Sequence, residues 1–180
     1  MNRFVEAAVM EAGFTECGSL SPRELRFHSE VRKICEGNSC RNYGASWACP
    51  PAVGTLEDCR ARVERYGNML LFTKKYVMES SFDFEAMGEG LQDFKKAVDR
   101  LHELVAPRLP DHLLLSNEGC GRCRKCTYPD APCRFPDRLY HSLEGYGFAV
   151  NDLARAAHVR YNNGPNTVTF FGALLWNGEA

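Results

Sequence analysis

Nine cysteines in a chain of 180 residues restrict what this sequence can become more than any other feature. They fall into two groups of four: Cys35, Cys40, Cys49 and Cys59, then Cys120, Cys123, Cys126 and Cys133. Cys17 stands alone and reads as a small buried hydrophobe. An odd count argues against a closed set of disulfides. The opening "MNRFVEAAVMEAG" is no secretory signal, because acidic residues interrupt its apolar positions. The expected location is therefore the cytoplasm, where grouped thiols serve metal or redox chemistry. Two thiolate-ligated loops carried on an independent core fit this pattern.

The second group lies in "GCGRCRKCTYPDAPCRFP", residues 119 to 136. Cys120, Cys123 and Cys126 follow C-x2-C-x2-C spacing, the run that bacterial ferredoxins use to wrap an iron–sulfur cubane. Cys133 follows after six residues and is not directly followed by proline, so its place in the same cluster stays open. Gly119 and Gly121 permit close backbone approach. Arg122, Arg124, Lys125, Arg134 and Arg138 outnumber Asp130 and Asp137, which suits an anionic cluster or the docking of an acidic electron donor. The expected cofactor is a 4Fe–4S cluster. Zinc is the alternative, although zinc loops usually pair two separated CxxC knuckles around one tetrahedral ion.

In the first group, "CEGNSCRNYGASWACPPAVGTLEDC", the intervals are four, eight and nine residues, which match no standard ligand pattern. The local chemistry is more informative. Gly44 allows a turn beside Tyr43, Trp47 is large enough to shield a cofactor, and Pro50 pushes Cys49 toward an extended conformation. Packing of these residues in a core is the competing reading.

Periodicity places a helix over residues 2 to 12, and Ser21 with Pro22 marks the start of a second that delivers Cys35. Thr55 caps a third helix ending near Gly67, and residues 83 to 106 carry the longest helical pattern, stopped by Pro107. Residues 141 to 160 read as mostly helical. "FTECGSL", "NMLLFTKKYVM", "DHLLLS" and "NTVTFFGALLW" read as strands. The expected fold is α/β or α+β, a single domain over 1–180 with a small sheet flanked by helices and two cysteine-rich loops.

With both loops in view, the chain resembles a prokaryotic family of predicted metal-binding proteins, a domain of unknown function. The resemblance rests on "CEGNSCRNYGASWACPP", "GCGRCRKC" with "APCRFP", and "SLEGYGFAVNDLA" leading to "VTFFGALLW". It implies metal binding and leads to an expected alanine where Gly145 stands.

Three functions fit. One is a two-cluster electron-transfer protein, with all eight grouped cysteines as ligands and a redox protein as partner. A second is an enzyme in which Cys35, Cys40 and Cys49 hold an open cluster, Cys59 is structural, and Arg32, Arg41, Tyr43 and Glu36 serve an anionic substrate. The third is a zinc-stapled interaction module. Net charge of −1 gives no global field for nucleic acid, and no apolar run reaches the roughly 18 residues of a membrane span. The five histidines are scattered, with no His-x3-His pair, and no nucleophile elbow or nucleotide fingerprint is present. No catalytic residue and no oligomeric state follow from the sequence.

Overall fold

The computed structural model describes residues 3–178. Asn2 of the expected first helix, and the extreme ends of the expected domain, lie outside the described residues.

Two long strands form the backbone of the sheet. β2 (Asn68–Val77) pairs antiparallel with β5 (Thr167–Trp176) along its whole length, from Asn68 opposite Trp176 to Val77 opposite Thr167. β1 (Glu16–Leu20) adds antiparallel to β2, and β3 (His112–Ser116) adds antiparallel to β5. β4 (His141–Ser142) joins β3 in parallel, giving the order β1-β2-β5-β3-β4. The mixed α/β class expected from the alternation of elements is the observed one.

Alternation along β2 explains the two cores. Leu70 and Phe72 face one side, where they meet Val5, Ala8 and Val9 of α1 (Arg3–Glu11) and Phe94, Val98 and Leu101 of α4 (Phe84–Val105). Met69 and Leu71 face the other side with Val63 of α3 (Leu56–Glu64), Tyr146, Phe148, and Leu153 of α5 (Val150–Ala156). Helix starts obey local rules. Thr55 accepts from the Asp58 amide while Asp58 accepts from the Thr55 amide, a reciprocal box, and Asp83 caps α4 through the Ala86 amide. Among the described residues, no helix is long and apolar enough to cross a membrane.

Two expected helices are broken. The segment from Ser21 forms only a 3-10 turn at Pro22–Glu24, runs extended, and becomes helical again as α2 (Ser29–Glu36). Leu25 and Phe27 pack on the core from that extended stretch, and Phe27 meets Phe148 at a ring separation of 4.9 Å. Their packing overrides the proline start signal. Residues 141 to 160 split into β4, a 3-10 turn at Glu144–Tyr146, and α5. Gly147 makes the break: its φ is +80°, and a Cβ there would stand 2.5 Å from Leu56 Cδ1. The left-handed φ excludes a continuous helix.

Candidate metal centres

The second cysteine loop leaves the buried end of β3. Glu118 adopts φ 48° and Gly121 φ 66°, so the chain reverses sharply at the loop entrance. α4 then clamps it. Lys95 donates to the carbonyls of Gly119 and Cys120, Arg122 makes a two-point pair with Asp99 at 2.6 and 3.0 Å, and Arg138 meets Glu103 at 2.8 Å. Two of the five basic residues counted in the sequence are therefore neutralised by the helix. Arg124, Lys125 and Arg134 remain exposed.

Inside this frame, half-buried Cys120, Cys123, Cys126 and Cys133 line one small cavity of about 40 Å³. The Tyr128 amide donates to the Cys126 sulfur at 3.5 Å, and the Phe135 amide to Cys133 at 3.4 Å. Amides aimed at sulfur favour the thiolate that ligation requires.

The first loop is arranged differently. Cys35 sits in the last turn of α2, Cys40 is exposed in the following loop, and Cys49 is buried ahead of Pro50. These three line a cavity of about 410 Å³ together with Tyr43, Ser142 and Glu144. Burial pushes the Cys49 thiol up to about 11, opposed by the Ser142 hydroxyl 3.8 Å from its sulfur and reinforced by neighbouring Cys40 and Cys35. Burial likewise raises Cys35, followed by the charge of Glu144 and of Cys40. The three thiols thus feel one another as a group.

Cys59 lies elsewhere. It is fully buried on α3, lines neither cavity, and sits 3.7 Å from the Val53 carbonyl and 3.9 Å from that of Gly145. Burial raises its thiol, opposed by the charges of Arg32, whose Nη1 donates to the sulfur at 3.9 Å, and of Arg62. Arg32, one of the side chains expected to bind substrate, is used structurally: it donates to the carbonyls of Gly145 at 2.5 Å and Gly54 at 2.8 Å. Of that expected group, only Tyr43 lines the cavity.

The 3-10 turn Glu144–Tyr146 is a hub that sequence reading missed. It receives Arg32 from α2, and a Cβ on Gly145 would stand 2.6 Å from Ser142 Oγ of β4 and 3.3 Å from Pro50 Cδ of the first loop. Glycine therefore fits where alanine was expected. The turn also directs Glu144 into the cavity wall, where burial, and then the charge of Glu118, raise its carboxyl. His141 is half-buried against this turn and bonds Tyr146 Oη at 3.1 Å. His102 and His112 also meet, at 3.1 Å across α4 and β3, without a cysteine in the pair.

The two loops touch. Ser46 and Trp47 of the first loop line the four-thiol cavity, and Trp47 Nε1 donates to the Ala131 carbonyl at 3.2 Å. A Cβ at Gly119 would come within 2.3 Å of Asn42 Oδ1, so glycine lets the two loops approach without displacing that side chain. The Lys95 ammonium senses both Cys120 and Cys49. Among the described residues, no three His, Cys, Asp or Glu side chains stand close enough together to chelate one metal ion. The cysteines of each loop instead surround a space.

The donor sets suit a soft, thiolate-bound metal. Residues 18–176 match the model of a family described as predicted metal-binding protein (DUF2284), and the chain belongs to that family. No curated protein matches the chain, and no solved structure matches it.

Proposed function

We propose that this member of the predicted metal-binding family carries two 4Fe–4S clusters with different tasks. Cys120, Cys123, Cys126 and Cys133 would hold a closed cluster that relays electrons. Cys35, Cys40 and Cys49 would hold a second whose fourth iron has no protein thiolate and faces a ligand cavity, with Cys59 serving the core. A bound cluster supplies one-electron exchange, and an iron without a thiolate supplies a binding position.

A single observation carries the proposal: three thiols share a cavity of about 410 Å³ while the fourth cysteine of their group is turned into the core. That arrangement favours a ligand-binding redox protein over pure electron transfer. The protein residues divide the remaining work. Trp47 covers the four-thiol site, the Tyr128 and Phe135 amides stabilise its sulfurs, and Lys95 places a positive charge between the two loops. Exposed Arg124, Lys125 and Arg134 offer a docking face to an acidic electron donor. A zinc staple is the second reading, since zinc loops usually pair two separated CxxC knuckles and the C-x2-C-x2-C run suits one tetrahedral ion less well.

Iron, zinc and acid-labile sulfide, counted on anaerobically purified protein, test the proposal. About eight irons and eight sulfides per chain are expected, with a broad absorption band that bleaches on dithionite addition. About four of each would remove one cluster, and colourless protein with zinc would overturn the redox reading.

A further inference from the structure

Beside the three-thiol cavity lies another of about 420 Å³, and the two share Glu118, Glu144, Val150 and Tyr161 in their walls. The shared wall is acidic. Among the described residues, no lysine, arginine or histidine lines either space. Lys95, whose charge reaches Glu118, is tied to the carbonyls of Gly119 and Cys120 and lies outside both walls.

An independent observation points the same way. Asn117, at the end of β3, is only 7% exposed and lines the second cavity, yet its Oδ1 has no hydrogen-bond partner. Buried acceptors are nearly always satisfied, so an orphan facing a cavity marks a place for a donor. An acceptor amide oxygen and two carboxyl groups share these walls, and no positively charged donor lines them. On the other side, Val31, Ile34, Pro50 and Phe148 present an apolar wall reaching the three thiols.

We propose that this cleft binds an organic ammonium, a primary amine with a short apolar tail. Its N–H groups would be donated to Asn117 Oδ1 and to the carboxylates of Glu118 and Glu144, and its tail would lie along Val31, Ile34 and Phe148 toward Cys35, Cys40 and Cys49. A bare divalent ion is the poorer fit. Hard cations want six or more oxygens, and an apolar wall gives them nothing. The proposal deepens the open-site reading by naming its substrate class, but it stands on residues that ligate no metal.

The test is calorimetric titration of the full-length, anaerobically purified protein with n-pentylammonium and 2-phenylethylammonium. Pentanol and pentanoate serve as the neutral and anionic counterparts, and manganese(II) as the bare cation. Iron and sulfide are counted on the same sample. Both amines are expected to bind at least tenfold tighter than pentanol, with no binding of pentanoate, and Glu118→Gln or Glu144→Gln should each weaken amine binding about tenfold or more. Glu118 is exposed, so its variant keeps the test sound if Glu144→Gln fails to fold by circular dichroism. Equal binding of pentanol, unchanged binding in Glu118→Gln, binding of manganese in place of amine, or no binding at all would overturn the proposal. Amine binding by protein that lacks clusters would sink the cluster reading alone, and clusters without amine binding would sink this one alone.

Discussion

The two cysteine loops place the same side chain in opposite surroundings. In the second loop, four thiols enclose about 40 Å³, amides point at two of the sulfurs, and α4 fixes the frame with Lys95 and with Asp99, which holds Arg122. In the first, three thiols sit at one side of about 410 Å³, and the fourth cysteine packs in the core beneath them. Cysteine count alone does not distinguish these cases. What distinguishes them is whether the fourth thiol is on a loop that can turn inward or on a helix whose apolar face is already committed.

The largest effect expected from this contrast is on metal content. Cys123→Ser should remove the closed cluster, and Cys40→Ser the open one, each leaving about half the iron and sulfide of the wild type. Cys59→Ala should leave both clusters in place. Elemental analysis of the three variants decides it: loss of iron in Cys59→Ala would make the two loops alike.

Next in size is the clamp on the second loop. Lys95→Met removes the charged donor to two loop carbonyls, and a loss of about 2–3 kcal/mol in denaturant unfolding is expected. Its reduction-potential readout is separate: removing a cation near both Cys120 and Cys49 should lower both potentials. A variant with unchanged potentials would mean that Lys95 only holds the backbone.

Cys59→Ala also tests the core assignment on a smaller scale. A fully buried thiol exchanged for a methyl should cost about 1–2 kcal/mol in unfolding free energy. No change in stability would mean that the site around Val53 and Gly145 is not tightly packed.

An effect of about the same size concerns acid. Burial, with Arg62 nearby, holds the His141 ring neutral down to about 4, against an ordinary value of 6.5. The unfolded chain therefore takes up a proton that the folded chain refuses, so stability is flat above pH 6.5 and falls as pH drops toward 4. Denaturant midpoints at pH 7.5 and 5 should converge in His141→Gln relative to wild type. Because β4 carries Ser142, which bonds Ala48 of the first loop, acid should loosen that loop before the second. Equal acid sensitivity of both clusters would contradict the difference drawn between them.

Parts of this arrangement were legible in the sequence. The C-x2-C-x2-C run, the Thr55 cap and the apolar stripe of Phe94, Val98 and Leu101 are local signals, and the structure shows the cap and the stripe where they were read. The hub was not legible. Asn117, Glu118 and Glu144 come together only because β3 and β4 pair in parallel, and no spacing rule joins positions so far apart. Nor does any local pattern reveal that Leu25 and Phe27 pull a promising helix straight, since their gain comes from packing on Phe148 and the core. Cys59 has a double character that spacing does not show. It stands in a cysteine series by sequence and in a hydrophobic core by fold.

The measurement that tests the central claim most directly is a Mössbauer spectrum of isotopically enriched, anaerobically purified protein. Two cubanes, one closed and one open, predict cluster signals in which about one iron in eight is distinct from the thiolate-bound rest. A spectrum in which every iron has four-sulfur surroundings would contradict the open site, and one without cluster iron would contradict the account as a whole.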